Sequence, residues 1–191
     1  ESSRNNFVFD FTYHFNHWLG LSLFGQSQSE KRRDSGGLAL NFNTSKESQI
    51  RLFYNWGYFS YKKRNAGTDG FTEKQDAAGI VWRKTNKETM SFNEWSLRYE
   101  QEVQQNFPDT GRVYGFEDLA VRLLGQRRIS ESFAFIEYDI GFRNGFESDT
   151  LNTDAGITKW ERTQYEVMIR YRNPGNFIDW FGLKIVQANW R

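Results

Sequence analysis

Alternation with a period of two runs through almost the whole chain. Over 7–15, rings stand at every second position, Phe7, Phe9, Phe11, Tyr13 and Phe15, with Val8, Asp10, Thr12 and His14 between them. Side chains on a strand point alternately to its two faces. The segment therefore predicts a strand with one aromatic face and one mostly polar face. The same reading gives Leu19, Leu21 and Leu23 against Gly20 and Ser22, Leu38, Leu40 and Phe42 against Ala39 and Asn41, and Ile50, Leu52, Tyr54, Trp56 and Tyr58 against Arg51, Asn55 and Gly57. Over 78–83 the apolar set is Ala78, Ile80 and Trp82. Over 89–100 the alternation slips near Asn93–Glu94, as a β-bulge would make it. Three further segments set Leu119, Val121 and Leu123 against Asp118 and Arg122, Ile136, Tyr138, Ile140 and Phe142 against Glu137, Asp139 and Arg143, and Tyr165, Val167, Ile169 and Tyr171 against Glu166, Arg170 and Arg172. The last sets Phe181, Leu183 and Ile185 against Gly182 and Lys184.

These are ten strands, with no comparable segment of helical period. Short connections at 16–17, 44–48, 85–88, 127–130 and 173–176 alternate with longer polar ones at 26–36, 62–75, 101–112 and 144–161. Pro174-Gly175 suits a type II turn. Consecutive hairpins of this kind predict an all-β, up-and-down antiparallel barrel. The 191 residues read as a single domain over 1–191. With ten strands both chain ends fall on the long-loop side. One more strand at each end would bring them to the other side and make twelve, so this single barrel domain is expected to be an incomplete part of a larger barrel.

Composition decides where the apolar face points. Aromatic residues make up 18% while charged residues make up 26%, so rings and charges must be segregated residue by residue. No run approaches the roughly 18 apolar residues of a spanning helix. A net charge of +1 gives no reason to expect nucleic acid as a partner. The chain has no Cys, hence no disulfide and no thiolate metal site. It does not open on a signal-peptide pattern, so any targeting segment is expected to have been removed or to lie outside it. Several strands reach the 9–11 residues that a tilted strand needs to cross the hydrocarbon layer. The faces opposite the rings mix charges with Gly, Ala, Ser and Asn, as a crowded lumen would. Rings gather at strand ends: Phe15, Trp18, Phe42, Trp82, Phe92, Tyr171 and Trp180 near the short turns, and Tyr58, Tyr61, Tyr99, Phe142 and Tyr165 near the long loops. Two interfacial levels favour such girdles.

On these features the chain resembles Gram-negative outer-membrane β-barrel proteins, small porin-like channels among them. The resemblance is to a class and carries no family motif, so no residue roles come with it. It implies a transmembrane barrel in the bacterial outer membrane, with lipid and lipopolysaccharide as surroundings and small polar or anionic solutes such as oligosaccharides as cargo. A barrel with a sealed lumen, structural or associated with secretion, is a second reading. A soluble lipocalin-like ligand binder, with the apolar face turned inward, is a third.

The expected pore-lining residues are Arg51, Arg98, Arg122, Glu137, Asp139, Arg143, Glu166, Arg170, Arg172 and Lys184, with Arg83, Asp10, Glu100 and Asp118 on the same face. Bases outnumber acids slightly, which predicts a weak preference for anions. Buried charges without partners are costly, so cross-strand ion pairs are expected. An enzyme is not expected: the two His, His14 and His17, flank a short turn, and their spacing is not that of a metalloprotease helix. No cofactor or metal is expected either. The acids of 149–156 miss the spacing of a calcium loop. The charges of 30–33 suit a solvated loop that could touch lipopolysaccharide phosphates.

Overall fold

The computed structural model describes residues 6–28, 33–62, 70–107, 113–129, 134–149, 158–173 and 180–191. They form ten strands: β1 (Asn6–His14), β2 (Leu19–Gln28), β3 (Arg33–Asn43), β4 (Ser48–Lys62), β5 (Gly70–Asn86), β6 (Ser91–Phe107), β7 (Val113–Arg128), β8 (Phe135–Asp149), β9 (Thr158–Arg172) and β10 (Trp180–Trp190). Each pairs antiparallel with its neighbour in sequence, in one sheet of order β1 to β10. No helix occurs among the described residues. The all-β, up-and-down arrangement is the one the alternation predicts.

The sheet curls without closing. Phe53 of β4 and Gln164 of β9 line the same cavity, so strands five apart in order face each other across the concave side. Among the described residues β1 and β10 make no pairing. They run antiparallel to each other, as barrel closure requires.

Register fixes the two faces, because directly paired residues share one. Leu40, Leu52, Ile80, Leu97, Val121, Phe142 and Tyr165 form one continuous outward row across β3 to β9. Most of its members are exposed although apolar, Leu97 at 44% and Val121 at 42%. Polar side chains turn inward instead, where Asp118 is 1% exposed and Asp139 5%. This inversion of the usual soluble pattern is the main feature of the fold.

The strands run further than the alternation suggests. β5 and β6 each have 17 residues, so much of the expected long connections 62–75 and 101–112 is paired strand. β8 and β9 likewise extend to Asp149 and back from Thr158. Charged and amide residues lower the apparent strand signal there, although the ladder continues. The end of the sheet bearing 15–18, 44–47 and 87–90 is here named the turn end, and the opposite one the long end. Phe142 and Tyr165, expected near the long loops, lie mid-strand because of this extension.

There is no bulge at Asn93–Glu94. β6 pairs with β5 without a break from Ser91 to Phe107. The apparent slip arises because Phe92 faces inward, where the Arg83 guanidinium sits 4.6 Å from its ring centre. Phe92 is therefore not part of an outward girdle. Met90, closing the turn before it, has φ of 53°. Pro174-Gly175, nearly all of 149–156 and residues 30–32 lie outside the described residues, as do the side chains of Tyr61 and Trp180.

Candidate functional site: the inward charge network

The inward face alternates basic and acidic side chains that meet across strands. Arg122 of β7 grips Asp139 of β8 with two donors, Nε to Oδ1 at 2.6 Å and Nη2 to Oδ2. Arg170 of β9 donates to Glu137 of β8 through Nε at 2.6 Å and through Nη2, and Arg172 lies 3.7 Å from the same carboxylate. Lys184 of β10 meets Glu166 of β9 at 2.7 Å. Arg83 approaches Glu94 at 3.7 Å.

A longer chain of charges crosses the middle of the sheet. Arg98 meets Glu100 at 2.7 Å, and Glu100 accepts from Arg143 at 3.2 Å. Arg143 lies 3.9 Å from Asp118, which accepts from Arg162. Arg162 continues to Glu147 at 3.9 Å. Glu147 also accepts from the Tyr114 hydroxyl at 2.5 Å and the Trp190 indole at 2.9 Å. Several links span two strands, Arg143 on β8 to Glu100 on β6 and Arg162 on β9 to Asp118 on β7. Only a strongly curved sheet brings such groups together. Rings cushion the bases: Arg98 lies 5.4 Å from the Phe53 centre and Arg162 5.2 Å from that of Phe116.

Between these groups is a cavity of about 400 Å³, bordered by Arg98, Arg122, Arg143, Glu94, Asp139 and Glu166. Its bases and acids balance. Nearer the long end, Gln75 donates to Glu73 at 2.5 Å and Glu102 at 3.0 Å.

All ten residues expected to line a pore lie on this one face, by register. All but Arg51 belong to an ion pair; Arg51 has no such partner among the described residues. Sequence reasoning missed Glu73, Glu94, Glu102, Glu147 and Arg162. Arg162 was legible by extending the even set of β9 backward from Gln164, and Glu102 by extending that of β6 forward from Glu100. The bulge assumed near Glu94 hid that residue. With these added, the slight excess of bases disappears from the face as a whole.

Comparison with known protein families, with curated proteins and with solved structures found no match. The chemistry of the two faces is thus the basis for a functional reading.

Proposed function

We propose that the chain forms the wall of an outer-membrane β-barrel channel, its apolar face against lipid and its charged face lining a path for small polar solutes. The observation that carries this reading is the inversion of polarity. A sheet that exposes a continuous apolar row while burying Asp118 and Asp139 is suited to hydrocarbon outside and water inside.

The edges of the apolar band support it. Toward the long end the outward acids Asp76 and Glu117 accept from the Tyr54 and Tyr99 hydroxyls at 2.6 and 2.8 Å. Toward the turn end the Trp82 indole donates to Ser48 at 2.8 Å. Amphipathic rings with polar tips turned away from the band suit the two headgroup levels. Lipid, including lipopolysaccharide, would then be the surrounding partner. The barrel would have its seam at β1 and β10, the two edges of the sheet.

The mixed charges of the cavity favour neutral polyols and zwitterions over strongly charged species. Selectivity among inorganic ions should be modest and should fade as salt screens the charges. In a planar bilayer with a salt gradient, Arg143→Glu with Arg170→Glu should move the reversal potential toward cations. A conducting barrel whose reversal potential ignores that double change would contradict the assignment of these arginines to the solute path. The sealed-lumen reading has one observation in its favour, the chain of ion pairs from Arg98 to Glu147 across the inward face. Refolded protein that inserts but does not conduct would establish it instead.

A further inference from the structure

We infer that the inward wall is polarised from end to end, acidic at the long end and basic at the turn end, and that the channel therefore passes current unequally in the two directions. This rests on the channel reading above. On each strand from β5 to β8 the last charged inward side chain described toward the long end is an acid: Glu73, Glu102, Asp118 and Glu147. Toward the turn end, β4, β5, β9 and β10 present Arg51, Arg83, Arg172 and Lys184.

Pairing sharpens the contrast. Asp118 and Glu147 are matched by Arg143 and Arg162. Glu73 and Glu102 share only the Gln75 amide among the described residues, so negative charge remains at the long end. At the turn end Arg170 and Arg172 share the single carboxylate of Glu137, and Arg51 has no acidic partner among the described residues. Positive charge remains there. The residual charges are thus of opposite sign at opposite ends, with a balanced middle.

Two zones of opposite sign in series act on mobile ions as a one-way junction. Each zone concentrates its counter-ions, cations beside Glu73 and Glu102 and anions beside Arg51 and Arg172. A field directed from the long end to the turn end drives both into the channel and raises its conductance. The reverse field draws both out and lowers it.

Single-channel current at equal positive and negative voltages tests this. At about 0.1 M salt, where the screening length is about 10 Å, the currents should differ about twofold, the larger flowing with the long end positive. At about 1 M salt, where it is about 3 Å, the ratio should approach one. Biotin on Ser45→Cys, captured by streptavidin in one bath, identifies the turn end; the chain has no other Cys to interfere. Glu73→Gln with Glu102→Gln should reduce the asymmetry at low salt, since only the basic zone is then left, and Arg51→Gln should also reduce it. A conducting channel with symmetric currents at low salt would overturn the inference and leave the channel reading standing. Asymmetry unchanged in the double Gln variant would also overturn it. Protein that inserts without conducting would overturn both.

Discussion

Asp118→Ala should destabilise the folded protein by about 3–5 kcal/mol, the range for removing one partner of a buried ion pair. Asp118 is the largest fully buried side chain among the described residues and accepts from Arg162, whose own side chain is only 15% exposed. Arg143 also faces it, at 3.9 Å. Without the carboxylate, Arg162 keeps among the described residues only the ion-pair partner Glu147, at 3.9 Å, and has little access to water. The position leaves no easy relaxation: a Cβ on the neighbouring Gly145 would already collide with the Glu117 carbonyl and the Asp118 carboxylate. Urea unfolding of refolded protein in detergent measures the loss. Arg162→Ala in the same chain should recover part of it, because the uncompensated charge is then gone. A loss under about 1 kcal/mol for Asp118→Ala would mean that the pair is solvated and the inward face more open than its burial indicates.

Leu97→Arg should cost about 2–4 kcal/mol in a bilayer, the range for a base on the lipid face near the midplane. Leu97 stands between Ile80 and Val121 on the outward row, with Trp95 and Tyr99 above and below it on the same strand. A guanidinium there is flanked by the apolar Ile80 and Val121 on both neighbouring strands. Gly141→Arg is the matched control on the inward face and should cost about 1 kcal/mol or less. A Cβ at Gly141 meets only the Glu166 Cβ, at 3.8 Å, and the residue borders the central cavity. Asn55, also inward, is a poorer control, because its Oδ1 is buried beside Gly37. If both Arg variants cost the same, the two faces do not differ in surroundings, and the lipid reading fails.

The alternation made the strands and their two faces readable before any coordinates. Phe7 to Phe15, Ile136 to Phe142 and Tyr165 to Tyr171 needed only the period of two. Strand ends were less readable. Lys74, Gln75 and Asp76 look like loop residues in sequence, yet β5 runs through them, paired to both neighbours. Hydrophobic alternation is imposed only where one face meets an apolar medium, so it stops marking a strand once the strand passes that band. Phe92 misled for a related reason: a ring is apolar by type, but this one faces inward to stack with Arg83. The ten expected members of the charged face followed from parity alone, while Glu73, Glu94, Glu102, Glu147 and Arg162 were hidden by misjudged strand ends and the assumed bulge. The pairing on that face did not follow from parity, because Arg143 to Glu100 and Arg162 to Asp118 skip a strand and depend on the curvature of the sheet.

The most direct measurement on the central claim is the accessibility of spin labels to oxygen and to a water-soluble relaxant in lipid vesicles. Labels at Phe11, Leu52, Ile140 and Ile169 should collide with oxygen and be shielded from the aqueous reagent, since all four side chains point outward and are 53%, 40%, 44% and 54% exposed. A label at Gly141, next in sequence to Ile140 and on the other face, should meet the aqueous reagent. Outward labels that are reached from water, or shielded from both probes within a water-soluble protein, would contradict a lipid-facing wall.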